Sequence, residues 1–179
     1  MTTLDELFGA RTALVVDGVV GAAAAAGVRA ALDAAGWQRY RLLDRGAHDF
    51  LDGLARAAFA AELLGAVAAV ASSRTGRTLV VVAARALRLG PGDYLLGHHD
   101  RVHADHPIEA TLDLSPAAVP DAEVHYRRRG QLFFRVASSP GALALVERGP
   151  GVTCHHTYVS KLHRRASIVR VVALLRDRA

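Results

Sequence analysis

The hydrophobic pattern in the first part of the chain alternates between strand-like and helix-like segments. A run rich in β-branched residues at 12–20 predicts a strand that ends in a glycine turn. The alanine-rich segment 21–35 stops at a glycine and predicts a helix. Residues 37–43 predict a second strand. In residues 48–71 the apolar positions recur close to every 3.6 residues, which predicts a second, longer helix.

From residue 78 onward the pattern changes to short apolar runs separated by glycine and proline. The predicted strands are residues 78–88, 93–99, 108–114, 123–128, 131–137, 142–148, 152–160 and 165–175. Eight such strands are typical of a jelly roll with two facing sheets. We therefore predict one α+β domain over residues 1–179. It has a double-stranded β-helix (jelly-roll) core at 78–176, and two helices of a helical N-terminal part, 1–77, pack outside this core.

Composition and charge narrow the function classes. The net charge is +5, but the arginines are scattered, which argues against a nucleic-acid-binding stripe. The single cysteine, Cys154, excludes an intramolecular disulfide and fits a reducing cytosol. The first residues lack the basic start of a secretory signal, and no apolar run reaches the ~18 residues of a membrane span. We expect a cytoplasmic protein with no membrane or nucleic-acid partner; the pattern does not indicate an oligomeric state.

A His-x-Asp pair and a distant histidine form the strongest chemical pattern. Alternate side chains of a strand share a face, so His98 and Asp100 can deliver a nitrogen and an oxygen to one metal ion. With His156 they would make the 2-His-1-carboxylate set of a mononuclear non-haem iron site, which leaves three coordination positions open. Two alternatives stay open. The third ligand can be His155 instead of His156, and a second His-x-Asp pair lies at 103–105 in a loop-like stretch.

The sequence around these residues resembles a known enzyme family. The run L-G-P-G-D-Y-L-L-G-H-H-D-R at 89–101 is similar to the segment that enters the metal site of the prolyl-4-hydroxylase-like 2-oxoglutarate/Fe(II) oxygenases. The runs G-Q-L-F-F at 130–134 and P-G-A-L-A-L-V at 140–146 resemble two later strands of that family. The stretch from His156 through R-A-S-I at 165–168 resembles its closing motif. The resemblance covers about residues 79–176.

The resemblance implies a dioxygenase that uses Fe(II), 2-oxoglutarate and O2, with ascorbate as a candidate reductant. His98, Asp100 and His156 would hold the iron and form the catalytic centre. Arg165, together with Ser167 two positions later on the same predicted strand, would bind the far carboxylate of 2-oxoglutarate, because a guanidinium meets a carboxylate through two parallel hydrogen bonds. Arg170, within the apolar strand that follows, is the second candidate for this anchor.

The expected reaction follows from the same resemblance. Halogenating relatives replace the carboxylate ligand with a small residue, so Asp100 argues for hydroxylation or another oxidation of a C–H bond, with release of succinate and CO2. The substrate would be a small molecule or a peptidyl side chain. Loops near 101–107 and 115–123 would border the site, and the arginines at 127–129 are a candidate contact for an anionic substrate. The alternatives are a cupin-type jelly-roll metalloprotein that does not use 2-oxoglutarate and a non-catalytic binding module.

Overall fold

The computed structural model describes residues 13–98, 108–149 and 151–178 of the chain. The strands are β1 Ala13–Val16, β2 Gln38–Leu42, β3 Gly46–Leu51, β4 Leu79–Leu89, β5 Tyr94–His98, β6 Ile108–Asp113, β7 Val124–Arg128, β8 Gln131–Val136, β9 Leu143–Glu147, β10 Val152–His156 and β11 Ile168–Asp177. The helices are α1 Ala22–Ala35 and α2 Ala61–Thr75, and two single 3₁₀ turns, Leu54–Arg56 and Ala58–Ala60, precede α2.

The strands form two facing antiparallel layers. The larger sheet has the order β1-β9-β6-β11-β4-β3, with β2 paired to β3, and the smaller sheet has the order β5-β10-β7-β8. β3 pairs with both β4 and β5 and so joins the two layers along one side. The eight strands β4 to β11 thus switch between the layers in the order of a jelly roll, with β7 and β8 forming a hairpin within the smaller sheet, which confirms the predicted fold class.

The larger sheet has two chemically different faces. Its outer face packs against α1 and α2 and is apolar; β6 contributes Ile108, Ala110 and Leu112 to it. Its inner face looks toward the smaller sheet, and there the same strand contributes Glu109, Thr111 and Asp113, all buried. Because successive side chains of a strand point to opposite faces, one six-residue strand supplies both an apolar helix-packing surface and a buried polar surface.

The helix predicted over residues 48–71 is wrong in its first half. Residues through Leu51 belong to β3, and the helix α2 begins only at Ala61. Gly53 has a φ of +78°, a left-handed conformation that a continuing helix cannot contain. The apolar residues spaced close to every 3.6 residues are therefore divided among a strand, two 3₁₀ turns and a helix. The N-terminal part, 1–77, contains β1 and β2, which lie within the predicted strands 12–20 and 37–43, and in addition β3, which was not predicted.

The last two strands are placed differently from their predicted bounds. β10 ends at His156 rather than at residue 160, and β11 starts at Ile168 rather than at 165. Between them, consecutive turns close through hydrogen bonds from His163 N to Ser160 O and from Ala166 N to His163 O. No helix in the described ranges is long and apolar enough to cross a membrane. The expected cytoplasmic location stays a prediction.

Candidate active site

β10 carries the third predicted ligand into the interior of the jelly roll. Val152, Cys154 and His156 are buried, whereas His155 lies on the opposite face and is half-buried. The His155 ring contacts the ring of His125, its partner on β7, edge-on with 4.8 Å between centroids. Burial and the neighbouring His125 and Arg127 lower the pKa of His155. Of the two histidines, His156 is the one that the strand places inside, with 2% of its surface exposed.

A register shift connects β10 to the strand of the first predicted ligand. β10 pairs His156 with Leu95 but Cys154 with His98, so three steps along β5 oppose two steps along β10. Such an extra residue is a β-bulge, a feature that changes which side chains of a strand share a face. The His98 side chain and Asp100 lie outside the described residues. Among the described ones, no three His, Cys, Asp or Glu side chains are arranged to hold a metal ion.

Arg170 lies beside His156 in the same interior. It sits on the inner face of β11, is 2% exposed, and donates from Nη1 to His156 Nδ1 at 2.9 Å and from Nη2 to the Ala122 carbonyl at 2.8 Å. Burial lowers the pKa of this guanidinium, and the charge of Asp113, its register partner on β6, opposes that shift. The loop 115–123, predicted to border the site, reaches it through Ala122.

Asp113, the acidic register partner of Arg170, is engaged in hydrogen bonds with other groups. Asp113 accepts hydrogen bonds from Ser115 N at 2.8 Å, Ser139 N at 2.8 Å and Ser138 Oγ at 3.2 Å. Arg170 makes no ion pair with a carboxylate within the described part of the chain, and its two hydrogen-bond acceptors there are an imidazole and a carbonyl. A buried guanidinium that has no carboxylate partner among the described residues can bind the carboxylate of a ligand. The residues present therefore fit the anionic end of 2-oxoglutarate.

The contact between Arg170 and His156 also defines a protonation state. A ring nitrogen that accepts a hydrogen bond is the unprotonated one, so a neutral His156 with this contact carries its proton on Nε2.

The first-ranked anchor of the sequence analysis has a different position. Arg165 lies in the turn before β11 and its side chain is exposed, and Ser167 is half-buried outside any strand. The expectation that both residues lie on one strand is wrong, because the turns after Ser160 delay the start of β11 to Ile168. The structure brings His156 and Arg170 together and does not place Arg165 with them.

A second group of buried polar side chains lies in the jelly roll and was not predicted from the sequence. Glu109 forms an ion pair with Arg148, and it accepts a hydrogen bond from the Tyr126 hydroxyl at 2.9 Å. That hydroxyl lies 3.0 Å from Thr111 Oγ1. Burial, and then the charge of Glu109, raise the pKa of Tyr126 well above its usual value. The alternation in I-E-A-T-L-D at 108–113 was the available signal, since its polar positions all fall on one face.

The arginine run at 127–129 forms the end of the β7–β8 hairpin. Arg129 and Gly130 both have a positive φ, 50° and 82°, which fits a tight two-residue turn. Arg128 lies over the Phe133 ring at 4.8 Å, and Arg127 Nη1 donates to the Gly130 carbonyl at 3.1 Å. These side chains therefore stabilise the hairpin, and whether they contact a substrate stays a prediction.

Comparison with solved structures shows where this fold occurs. A prolyl-4-hydroxylase from Pseudomonas putida is 13% identical, with a TM-score of 0.72 over 98% of this chain and 97% of that one. The α-ketoglutarate-dependent epimerase SnoN of nogalamycin biosynthesis is 15% identical, with a TM-score of 0.75 over 97% of this chain and 79% of that one. HygX from Streptomyces hygroscopicus, with nickel, 2-oxoglutarate and hygromycin B bound, is 13% identical, with a TM-score of 0.69 over 96% and 85%.

These similarities concern the fold, since the identities are low. They confirm at that level the resemblance to the prolyl-4-hydroxylase-like oxygenases that the motifs predict. No protein-family model and no curated protein matches the sequence.

Proposed function

We propose that the protein is an Fe(II)- and 2-oxoglutarate-dependent dioxygenase that hydroxylates or otherwise oxidises a C–H bond of a small molecule or a peptidyl side chain. The observation that carries the proposal is the buried contact between His156 and Arg170 inside the jelly roll. One side chain is a predicted metal ligand, and the other is a buried cation of the kind that binds a carboxylate. HygX, with the same fold, holds nickel and 2-oxoglutarate together, which supports this assignment.

Each residue of the proposed site has one role. His98, Asp100 and His156 would hold the metal, and Arg170 would hold the far carboxylate of 2-oxoglutarate. When bound, the metal and 2-oxoglutarate supply the oxidising chemistry, which consumes O2 and releases succinate and CO2, with ascorbate as a candidate reductant. The rank order of the anchors thus changes from the one that the motif favours, because the buried position is that of Arg170 and not that of Arg165.

The apolar surroundings of Arg170 would strengthen this binding. Leu87, its register partner on β4, and Ile168 and Val172 on β11 belong to one buried cluster beside it. With little water nearby, a guanidinium attracts a carboxylate more strongly than it does at the protein surface. The same walls would keep bulk water away from the reacting centre.

An anaerobic titration with Fe(II) and 2-oxoglutarate tests the proposal directly. Wild-type protein should develop the weak visible charge-transfer band of the metal–2-oxoglutarate complex, and this band should require both components. It should be absent in His98→Ala and present in His103→Ala, a matched control that removes the histidine of the other His-x-Asp pair. Metal bound without the band would instead support the cupin-type alternative, and protein without bound metal would support the binding module.

The choice of anchor has its own test. Losing one partner of a buried charge pair costs several kcal/mol, so Arg170→Gln should weaken 2-oxoglutarate binding by roughly 30-fold or more. Arg165→Gln should change it by less than about threefold, since exposed ion pairs contribute little. Dissociation constants from the same titration measure both, and bound Fe(II) in each variant shows that the site has formed. The reverse pattern would restore Arg165 as the anchor.

A further inference from the structure

A turn at the end of the loop 115–123 contacts the proposed anchor directly. The Ala122 carbonyl accepts a hydrogen bond from Arg170 Nη2 at 2.8 Å, and the Ala122 side chain is buried in the apolar cluster beside that arginine. A guanidinium has five N–H donors. The contacts with Ala122 and His156 use two of them, so three remain for a carboxylate while the Ala122 carbonyl keeps the guanidinium in place.

The backbone of this turn has an uncommon conformation. Asp121 has a φ of +61°, in the left-handed region that few residues other than glycine adopt. The Ala122 amide makes only a long hydrogen bond within the turn, 3.3 Å to Val119 O. A residue in the left-handed region stays there where the surrounding structure holds it. The position of the Ala122 carbonyl therefore depends on contacts from outside the turn.

Thr157, the residue after the proposed ligand His156, supplies such contacts. Its Oγ1 accepts from Glu123 N at 2.8 Å and donates to Asp121 O at 2.8 Å, with Glu123 O 3.2 Å away as a second acceptor. Its own amide donates to Glu123 O at 3.0 Å. Within the turn, the Glu123 amide has a longer alternative, 3.1 Å to Asp121 O. One hydroxyl thus bonds to the residues on both sides of Ala122.

We propose that Thr157 is a positioning residue for the 2-oxoglutarate anchor. Its hydroxyl fastens the turn 121–123 to the end of β10, and the turn holds the Ala122 carbonyl against the Arg170 guanidinium. The chain that carries the proposed ligand His156 thereby also orients the arginine. This inference rests on the proposed function, since it takes Arg170 as the group that binds the far carboxylate.

Amide hydrogen exchange of the metal-free protein tests the contact between Thr157 and the turn. Thr157→Val removes the hydroxyl and keeps the shape of this half-buried side chain, so the Glu123 amide should exchange about fivefold faster, the effect of one hydrogen bond. Thr157→Ser should restore slow exchange. Thr153→Val makes the same chemical change four residues earlier on β10, opposite Arg127, and should leave the Glu123 amide unchanged. Wild-type exchange in Thr157→Val would overturn the inference.

Binding of two 2-oxo acids to the Fe(II)-loaded protein tests the effect on the anchor. Pyruvate shares the metal-chelating group of 2-oxoglutarate but lacks the far carboxylate. Without oxygen, Thr157→Val should weaken 2-oxoglutarate binding by about fivefold and pyruvate binding by less than about twofold. Thr157→Ser and Thr153→Val should bind both acids as wild type does. Equal losses for the two acids would place the effect at the metal and contradict the positioning of Arg170.

A double-mutant cycle shows whether Thr157 acts through Arg170. Arg170→Met removes the donor to the Ala122 carbonyl and keeps an apolar side chain of similar length. In this background Thr157→Val should cause no further loss of 2-oxoglutarate binding, because the group that it positions is gone. A further loss of about fivefold would show that Thr157 acts by another route, against the inference.

Failure of the proposed function gives a different result from failure of this inference. Wild-type protein that binds Fe(II) but no 2-oxoglutarate would remove the anchor and with it the positioning role of Thr157, whatever the exchange rates are. Wild-type 2-oxoglutarate binding that Thr157→Val leaves unchanged would keep the dioxygenase and remove only the role of Thr157.

Discussion

The two faces of the larger sheet come from the same strands but do different things. On β11, Val169, Val171 and Ala173 point outward into the cluster that packs against α1 and α2. Between them, Arg170 points inward and contacts His156. The outer face is held by non-directional burial of apolar surface, whereas the inner face depends on specific hydrogen bonds in a region with little water. Alternate residues of one strand therefore supply the apolar core and the buried polar interior.

We expect the largest loss of stability from a change on the inner face. Glu109→Ala should lower the free energy of unfolding by about 3–5 kcal/mol, because it removes the carboxylate that forms an ion pair with the buried Arg148. Urea unfolding measures the loss. The double variant Glu109→Leu/Arg148→Met should recover most of it, since it removes both charges and keeps apolar volume. If the single variant loses less than about 1 kcal/mol, the ion pair is not a stability element of the inner face.

Substitutions on the outer face should destabilise the protein only through the apolar volume that they remove. Leu112→Ala, on the outer face of β6, should cost about 3 kcal/mol through lost burial and the cavity that remains. The loss should be the same at low and high salt, because no charge is involved. Leu43→Ala, at a side chain that is 94% exposed, is the control and should have no effect. A salt-dependent loss for Leu112→Ala would contradict the separation of the two faces.

A smaller effect tests the hydrogen-bond network of the inner face. Thr111→Val removes the hydroxyl beside Tyr126 and should cost about 1 kcal/mol, the usual net value of one hydrogen bond. Tyr126→Phe and the double variant complete a double-mutant cycle in thermal or urea unfolding. A coupling energy near zero would show that the two hydroxyls do not depend on each other.

The smallest effect concerns an exposed ion pair at the end of the sheet. Arg77 hydrogen-bonds Asp177 and lowers the pKa of that carboxyl. A carboxyl with a lowered folded-state pKa stabilises the fold above its unfolded pKa, and this contribution is lost as the pH falls through the folded value. Asp177→Asn should therefore lower Tm by no more than about 1–2 °C at neutral pH, with no difference from wild type in strong acid. A difference that persists in acid would point to a cause other than charge.

Much of the fold was predictable because local patterns and tertiary structure agree. The strands β4 to β9 lie within one or two residues of their predicted bounds, since glycine and proline mark their ends. The helix over 48–71 was not predictable from its apolar spacing. The apolar residues at its start fit either one face of a helix or a strand. They form a strand because β3 pairs with β2, β4 and β5.

The metal ligands and the anchor of the candidate site both stay predictions, and the structure bears on them to different degrees. His98, Asp100 and His156 follow from spacing and motif, and the burial of His156 agrees with the preference for it over His155. The choice between Arg165 and Arg170 depends on where β11 starts, and consecutive turns after β10 set that start. Sequence spacing alone does not predict where β11 starts. Arg165 and Arg170 both follow His156 at spacings that would fit a position on the next strand.

The residue pattern along the chain is enough to predict the alternation of each strand, the jelly-roll class and candidate ligands for a metal and an anionic co-substrate. These depend on neighbours along the chain, and a two-residue period or a His-x-Asp spacing is a local property. Which buried cation contacts His156, and that Glu109 forms an ion pair with Arg148, follow only from the packing of the two sheets. Such contacts join residues far apart in sequence, and their free energy depends on burial and distance, which only the packed sheets define.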